Sequence, residues 1–272
     1  MDKLTIIKPP KGIIGINFRE LYEYRELAWV LSVKEIKIRY KQTLVGGSWA
    51  IINPLLMMVV FTIFFGNMLN VPSDGVPYPI FSYSGLLLWT YFTTSLVLAS
   101  NSLVANSQMV SKVYFPRLLL PISATLVGIL DYSIASLILV GLMYYYQIFP
   151  TFEILLIPII VFVTWMLATG LGFWLSAIMV KYRDVKFIVP FFTSLLIYLT
   201  PVIYPVSVAS EFRWLLALNP MTGLIEAHRG LILGSSNLDF NLLLISFLIT
   251  IFIFVSGAIY FKRVERAFAD II

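Results

Sequence analysis

Six long apolar blocks, separated by short polar segments, constrain this chain more than any other feature. Each is close to the roughly 20 mostly apolar residues that a helix needs to span a bilayer. Because 60% of the 272 residues are hydrophobic and only 12% are charged, a soluble domain of this length has no way to hide them from water. The sequence predicts an all-α integral membrane protein. Its six transmembrane helices are predicted at residues 49–70, 80–101, 118–146, 154–180, 187–204 and 240–261, the fifth being short and broken by proline.

Basic residues surround these blocks unevenly and predict the orientation of the chain. Nine Lys/Arg precede the first block, two lie at 112–117, three at 181–186 and three at 262–266, which makes 17 of 19. The positive-inside rule then places both termini in the cytoplasm, with the chain in the cytoplasmic (inner) membrane. The first 48 residues hold no apolar core of a secretory signal. The net charge of +5 follows from this topology, so we expect membrane lipid and no nucleic acid as a partner.

An amphipathic helix is predicted at residues 18–31, ahead of the first span. Its apolar stripe holds Leu21, Tyr24, Ala28 and Leu31. That pattern favours an interface helix lying along the membrane surface. A basic segment follows, before Gly46 and Gly47 let the chain turn into the bilayer. Its basic residues are Lys34, Lys37, Arg39 and Lys41. We expect them either to bind lipid headgroups and so anchor the segment, or to contact a cytoplasmic partner or an anionic lipid-linked substrate.

The segment KVYFPR, residues 112–117, interrupts the chain between the second and third spans, and we call it the elbow. Pro116, with Pro121 after it, ends one helix and stiffens the turn into the next. Lys112 and Arg117 favour the cytoplasmic side. The apolar residues Val113, Tyr114 and Phe115 form a knob that suits a groove on a partner protein. A plain turn into the membrane is the alternative interpretation.

Residues 205–239, between the fifth and sixth spans, are too long for a simple loop and too apolar for a disordered one. Pro220 starts a helix well and disfavours helix at Asn219, so two short helices hinged there are predicted. We expect this hairpin to re-enter the outer leaflet, where irregular backbone survives only when it is packed in protein or lines a wet cavity. An outer cap with no part in conduction is the alternative. Glu226 and Arg229 are spaced to pair on one helix.

Several kinds of reactive site have no counterpart in the sequence. There is no cysteine and no Gly-x-x-x-x-Gly-Lys-Ser/Thr loop, which excludes thiolate sites and a P-loop. The single histidine, His228, has no neighbours at a metal-ligand spacing, and no paired carboxylates are placed to hold magnesium and a diphosphate. We therefore predict a chain that is not an enzyme and has no metal or cofactor of its own. Any ATP drive must come from another subunit.

Asp131 is the one acidic residue well inside a predicted span. A buried carboxylate usually faces a bundle interior or a cavity, which makes it a candidate for lining a path. Alternatively, Ser123, Thr125, Ser133 or a neighbouring helix satisfies it as a structural contact. Aromatic residues of the spans either form interfacial belts and pack helices or stack on the apolar faces of sugars. The candidates are Tyr83, Trp89, Tyr91, Phe92, Trp165, Trp174 and Tyr198.

Five motifs carry a resemblance to a known family. They are KIRYKQTLVGGSWAIINPLL (37–56), KVYFPRLLLP (112–121), KYRDVKFIVP (181–190), TPVIYP (200–205) and ALNPMTGLIEAHRGLILG (217–234). In this order they resemble the membrane subunits of type-2 ATP-binding-cassette (ABC) exporters. They are most similar to permeases that export O-antigen, teichoic acid and capsule-like polysaccharides. The resemblance begins near residue 20, which leaves residues 1–17 as an amino-terminal extension and 18–272 as one transmembrane domain.

The resemblance implies a homodimer served by two separate cytoplasmic P-loop ATPase subunits, which bind the ATP and magnesium. The interface helix and the elbow would contact them through Tyr24, Ala28, Lys112, Val113, Tyr114, Phe115, Pro116 and Arg117. The hairpin would form an outer gate with Asn219, Pro220, Glu226, His228 and Arg229. The aromatic residues and Asp131 would line a channel in which a glycan slides through many weak contacts. The basic segment would receive the pyrophosphate of a lipid-linked glycan at the cytoplasmic gate.

The function that these features favour is the permease subunit of an ATP-driven exporter, moving a lipid-linked O-antigen or a similar polysaccharide across the cytoplasmic membrane. One alternative is a permease of the same fold that exports a small hydrophobic drug or lipid. Another is an ATP-independent carrier or channel. A membrane enzyme lacks a recognisable catalytic constellation.

Overall fold

A computed structural model describes residues 18–41, 48–234, 239–265 and 268. The predictions for residues 1–17, for Gly46 and Gly47 and for Arg266 lie outside these ranges. The described residues form eleven α-helices: α1 (Phe18–Glu23), α2 (Arg25–Lys41), α3 (Trp49–Phe61), α4 (Tyr78–Ala105), α5 (Ser107–Lys112), α6 (Leu119–Tyr145), α7 (Ile157–Lys181), α8 (Val185–Leu199), α9 (Arg213–Ala217), α10 (Pro220–Leu233) and α11 (Phe240–Val264). A π-helix, Thr62–Met68, continues α3, and 3₁₀ turns at Phe152–Leu156 and Val206–Phe212 precede α7 and α9.

Five helical stretches are long and apolar enough to cross a membrane, so the prediction of an all-α membrane protein is confirmed. They are Trp49–Met68, Tyr78–Ala105, Leu119–Tyr145, Phe152–Lys181 and Phe240–Val264. Each coincides with a predicted span to within four residues at either end. The elbow lies at one end of the bundle, and the hinge at Asn219 lies at the other. We call these the elbow end and the hairpin end.

The fifth predicted span, residues 187–204, is shorter than expected. Its helix α8 has 15 residues, about 22 Å of rise, against a hydrocarbon core of about 30 Å. The helix stops because Thr200 precedes Pro201, and the residue before a proline is driven out of the helical region. Thr200 is indeed extended, with φ −98° and ψ 141°. Length and composition alone therefore support five spans and one shorter apolar helix among the described residues.

Helix α4 forms the centre of the bundle, because most of its residues are buried inside the chain. It packs against α6 on one side and α7 on the other, and α11 packs against the far face of α7. The contact between α7 and α11 is close because glycines meet there: a Cβ on Gly257 would collide with the carbonyl oxygen of Gly170. Small residues let membrane helices approach in this way without a hydrophobic driving force.

The predicted interface helix differs from expectation in length. After a turn at Tyr24 it continues as α2 to Lys41, ten residues beyond the predicted end at residue 31. Ser32 donates to the carbonyl oxygen of Ser123, 3.1 Å away, and Tyr40, eight residues on, donates to Asp131, also eight residues on. Equal advance on both helices means that α2 runs alongside the spanning helix α6 in the same direction. Residues 32–40, which follow the predicted interface helix 18–31, therefore pack along α6.

Candidate functional site

The elbow and the start of the interface helix form one surface at the elbow end. The Tyr114 hydroxyl donates to Oε1 of Glu20 at 3.1 Å, and Arg19 pairs with Glu23 one turn along the same helix. Burial, together with the hydrogen bond to Glu20, raises the pKa of Tyr114 above its ordinary value. Lys112, Val113 and Tyr114 are exposed. Two regions that the sequence predicts to bind the same partner are therefore neighbours.

Phe115 and Pro116 do not belong to that exposed surface, which corrects the predicted apolar knob. Phe115 is only 3% exposed, because its ring packs into a cluster with Val110 and Leu118. Tyr24 packs against the same cluster, and both Tyr24 and Ala28 are half-buried. The elbow connects α5 to α6 and also packs against α2. Its phenylalanine therefore points inward, into the apolar cluster that these helices share. Val113 and Tyr114, 57% and 59% exposed, are the apolar groups left for a partner.

Arg117 ties the elbow to the end of α11. Its guanidinium donates to the carbonyl oxygen of Glu265 at 2.6 Å, and its own amide donates to Oε1 of Glu265 at 3.2 Å. Lys262 pairs with the same carboxylate at 2.6 Å. Arg117 therefore holds the elbow against the end of α11. The sequence had predicted only that its charge favours the cytoplasmic side.

Arg39 differs from the three lysines of the predicted patch, because it alone pairs with a carboxylate among the described residues. Lys37 and Lys41 are exposed. Lys34 donates to the Oδ1 atom of Asn106 at 2.8 Å, and Arg39 pairs with Asp131 at 2.9 Å. Because the carboxylate neutralises the charge of Arg39, only the other three cations of this patch are available to an anionic ligand in this conformation.

Asp131 is buried, 6% exposed, and α2 supplies its partners. One oxygen pairs with Arg39 and the other accepts from the Tyr40 hydroxyl. The three hydroxyls considered from the sequence donate elsewhere, to carbonyl oxygens of their own helix: Ser123 to Leu120, Thr125 to Ile122 and Ser133 to Ile129. A neighbouring helix is thus what satisfies the carboxylate. Asp131 also borders a small cavity, whose walls include Arg39, Trp49, Asn53, Tyr91, Thr94 and Tyr132.

Most aromatic residues predicted to line a channel are in the interior of the chain instead. Tyr83, Trp89 and Phe92 are at most 5% exposed, and the Tyr83 hydroxyl donates to the Ala135 carbonyl oxygen at 2.9 Å. The central position of α4 explains this, because each of its faces meets another helix. Trp165 and Trp174 are half-buried; one donates to Thr125 at 2.9 Å and the other stacks on Tyr260. Tyr91 borders the cavity, and Tyr198 is 54% exposed.

The two short helices predicted around the Asn219–Pro220 hinge are confirmed as α9 and α10. The Asn219 side chain caps α10 by accepting from the amide of Met221 at 3.1 Å, and Pro220 takes the first helical position. The side-chain amide of Asn219 also donates to Thr200 at 2.8 Å. The hinge is therefore joined to the turn that ends α8.

Arg229 fastens that turn to the bundle. Its guanidinium donates to the carbonyl oxygens of Pro201 and Val202, both at 3.1 Å, and lies 3.8 Å from the centre of the Phe81 ring. The predicted pair with Glu226 is present at 3.0 Å. His228 contacts the hydroxyl of Tyr132 at 2.8 Å. Asn219, Glu226, His228 and Arg229 therefore each have a hydrogen-bonding or ionic partner in the described part of the chain.

Sequence reasoning missed Tyr40, Tyr132 and Glu265. Tyr40 and Tyr132 lie beside residues that the sequence had already assigned a role. The Tyr40 hydroxyl contacts Asp131, 91 residues away, and the Tyr132 hydroxyl contacts His228, 96 residues away. No local spacing carries such a contact. Glu265 had one available signal, because it lies three residues after Lys262 near the end of the last apolar block, at a pairing distance on a helix.

Comparison with known proteins agrees with this architecture. Residues 26–233 match the family described as "ABC-2 type transporter". The O-antigen export system permease protein RfbA of Myxococcus xanthus is 32% identical over 218 residues, 78% of this chain and 82% of the relative. The protein of the same name from Klebsiella pneumoniae is 26% identical over 249 residues, 91% of this chain and 95% of the relative. The polysialic acid transport protein KpsM of Escherichia coli is 22% identical over 251 residues, covering 86% and 92%.

Proposed function

Because the chain belongs to the ABC-2 type transporter family, we propose that it is the permease subunit of an ATP-driven exporter that moves a polysaccharide across the cytoplasmic membrane. The observation that carries this proposal is the similarity to O-antigen export permeases along most of both chains. The substrate is a lipid-linked O-antigen or a similar glycan. The chain works as a homodimer with two cytoplasmic ATPase subunits, which supply the nucleotide chemistry that this sequence lacks.

The ATPase docks on the surface formed by α1, the start of α2 and the exposed side of the elbow. Support comes from the Tyr114–Glu20 hydrogen bond, which joins the two segments, and from the exposure of Val113 and Tyr114 beside charged residues. An apolar centre with a polar rim is the usual composition of such an interface. Phe115 and Arg117 act indirectly, by holding the elbow in shape.

The chain spans the membrane six times, with both termini in the cytoplasm. Besides the five long helical stretches, α8 crosses together with the turn after it as the fifth span in chain order, and the α9–α10 hairpin re-enters from the outer side to form the gate. The distribution of basic residues supports this orientation. Arg229 and Asn219 support the re-entrant hairpin, since they satisfy backbone and side-chain groups of the turn that would otherwise be bare in lipid.

The glycan path runs along the exposed face of α8, where Tyr198 offers an aromatic surface, and past the cavity that Tyr91 and Asp131 border. Lys34, Lys37 and Lys41 receive the pyrophosphate of the lipid-linked glycan. Lys34 lies at the elbow end, where it bonds to Asn106. The absence of a carboxylate partner for the three lysines among the described ion pairs also supports this. Many weak contacts of this kind let a chain slide without being trapped.

Export is tested by deleting this chain in its own host. We expect loss of the surface glycan, measured with a lectin, and accumulation of lipid-linked glycan on the inner face of the membrane. Re-expression of the chain should restore the surface glycan. An unchanged surface glycan, with accumulation of a small hydrophobic compound instead, would favour a drug or lipid permease of the same fold.

Docking is tested by co-purification of the ATPase with the double variant Val113→Asp/Tyr114→Ala. We expect the ATPase to be lost while the yield of folded permease is unchanged. Tyr144→Ala is the matched control, because Tyr144 is 74% exposed at the opposite end of the bundle. Retention of the ATPase by the double variant would place the docking surface elsewhere.

A further inference from the structure

The grip of α2 on Asp131 occurs deep inside the bundle. Asp131 lies twelve residues after the first residue of α6, Leu119, which is about 18 Å along the helix axis. Trp49, the first residue of α3, borders the same small cavity as Asp131, so the contact lies at the depth at which α3 begins. The carboxyl end of α2 therefore reaches from the elbow end into the bundle, as far as the start of α3.

The other end of α2 is fixed to the elbow. Leu27 and Leu31 pack with Val110 and Leu118 in one apolar cluster, and Lys34 bonds to Asn106 at the end of α4. A helix is stiff over this length, since each residue is held by backbone hydrogen bonds. A displacement of the elbow surface is thus passed along α2 to Arg39 and Tyr40.

What α2 reaches is a wall of the small cavity. Arg39 and Asp131 border it from α2 and α6, Trp49 and Asn53 from α3, and Tyr91 and Thr94 from α4. Its walls combine aromatic rings, an amide, a hydroxyl and a neutralised ion pair. The ion pair lies where α2 and α6 meet, so separating its two charges would widen the cavity on that side.

We propose that Arg39, Tyr40 and Asp131 form a latch that holds α2 against α6 and keeps this cavity closed, and that movement of the elbow surface opens it. Separating Arg39 from Asp131 leaves a buried carboxylate without its counter-ion, which is costly, so the closed position is well defined. The coupling half of this inference rests on the proposed ATP-driven function. The latch itself does not, because its contacts belong to this chain alone. All three are positioning residues.

The absence of cysteine from the sequence makes a direct test available. Ala135 borders the cavity and is 3% exposed, whereas Ala124, 4% exposed on the same helix, does not border it. Each is replaced by cysteine in the full chain, co-expressed with its ATPase. Labelling by a membrane-impermeant maleimide is then followed in inside-out vesicles. With the latch intact we expect both cysteines to react slowly.

The latch is opened with the neutral pair Arg39→Gln/Asp131→Asn, which leaves no buried charge unpaired and so avoids the main folding penalty of either single change. We expect Ala135→Cys to react about tenfold faster, as expected when a buried ionic contact is lost from an opening equilibrium. Ala124→Cys should not change. The swapped pair Arg39→Asp/Asp131→Arg should restore slow labelling, which a general loosening of the fold would not do. Equal labelling of Ala135→Cys in all three backgrounds would overturn the latch.

Addition of ATP separates the latch from the proposed function. In the intact background, we expect ATP to accelerate the labelling of Ala135→Cys. A non-hydrolysable analogue should leave the labelling rate unchanged. If the neutral pair opens the cavity but ATP does not, the latch is supported while the ATP-driven coupling is overturned.

Discussion

Arg39 and Arg229 each pair with a carboxylate inside the bundle, yet the two pairs join different parts of the molecule. Arg229 pairs with Glu226 on its own helix and uses its other donors on two backbone carbonyl oxygens. Arg39 pairs with a residue 92 positions away on a different helix, and its side chain is 36% exposed against 6% for Arg229. One arginine fixes a turn within a rigid corner. The other joins two helices through a contact that water can reach.

The largest effect is expected for Arg229→Met, which removes the cation from the hairpin corner. The carbonyl oxygens of Pro201 and Val202 lose their donor and Glu226 loses its partner, so we expect the free energy of unfolding to fall by about 3–5 kcal/mol. Thermal unfolding in detergent measures it. Arg229→Lys should recover little, since an ammonium does not reproduce the fork of donors. A loss as small as that of an exposed pair would contradict the corner's structural role.

An intermediate effect is expected at the other arginine. Arg39→Gln and Asp131→Asn should each cost about 1–3 kcal/mol, because the exposed part of Arg39 exchanges its partner for water. The double variant should cost less than the sum of the two, with a coupling energy of about 0.5–3 kcal/mol. Chemical unfolding of the four proteins completes the cycle. Strict additivity would show that the contact contributes nothing to stability.

A smaller effect is expected where the two regions meet. Tyr132 follows Asp131 in sequence, and its hydroxyl contacts His228, which precedes Arg229. Tyr132→Phe removes one hydrogen bond and keeps the ring, which should cost about 1 kcal/mol. Thermal unfolding of this variant in the Arg39→Gln/Asp131→Asn background shows whether the corner and the latch are coupled. Identical costs in both backgrounds would make them independent.

The smallest effect is expected for Arg213→Ala. Arg213 pairs with Asp239, but its side chain is 56% exposed, so the loss should be about 0–1 kcal/mol. The same unfolding experiment measures it, and high salt should reduce the difference further. A loss comparable to that of Arg229→Met would mean that exposure does not distinguish the two arginines.

The sequence predicts the parts of this fold that depend on local pattern. Five spans follow from apolar length, and the hinge at Asn219 follows from the proline after it. The Glu226–Arg229 pair follows from helical spacing. The early end of α8 was readable in principle, from Thr200 before Pro201, but its apolar run continues to Tyr204 and hides the break.

Contacts between distant segments could not be predicted in the same way. Amphipathicity shows that α2 has an apolar face but does not say whether lipid or α6 covers it. Composition places Tyr83 and Trp89 on α4 without showing that every face of α4 meets another helix. Asp131 was identified as unusual because a carboxylate is costly there, although its partner Arg39 was assigned to a different role.

The bond between Arg117 and Glu265 has a consequence for biosynthesis. The elbow is synthesised early, but the residue that completes it, Glu265, follows Arg117 by 148 positions. Membrane helices are inserted in order. The elbow can therefore reach its final conformation only after α11 has left the ribosome. Chains interrupted before Glu265 lack this contact, so the proposed docking surface for an ATPase is finished only after α11 has been made.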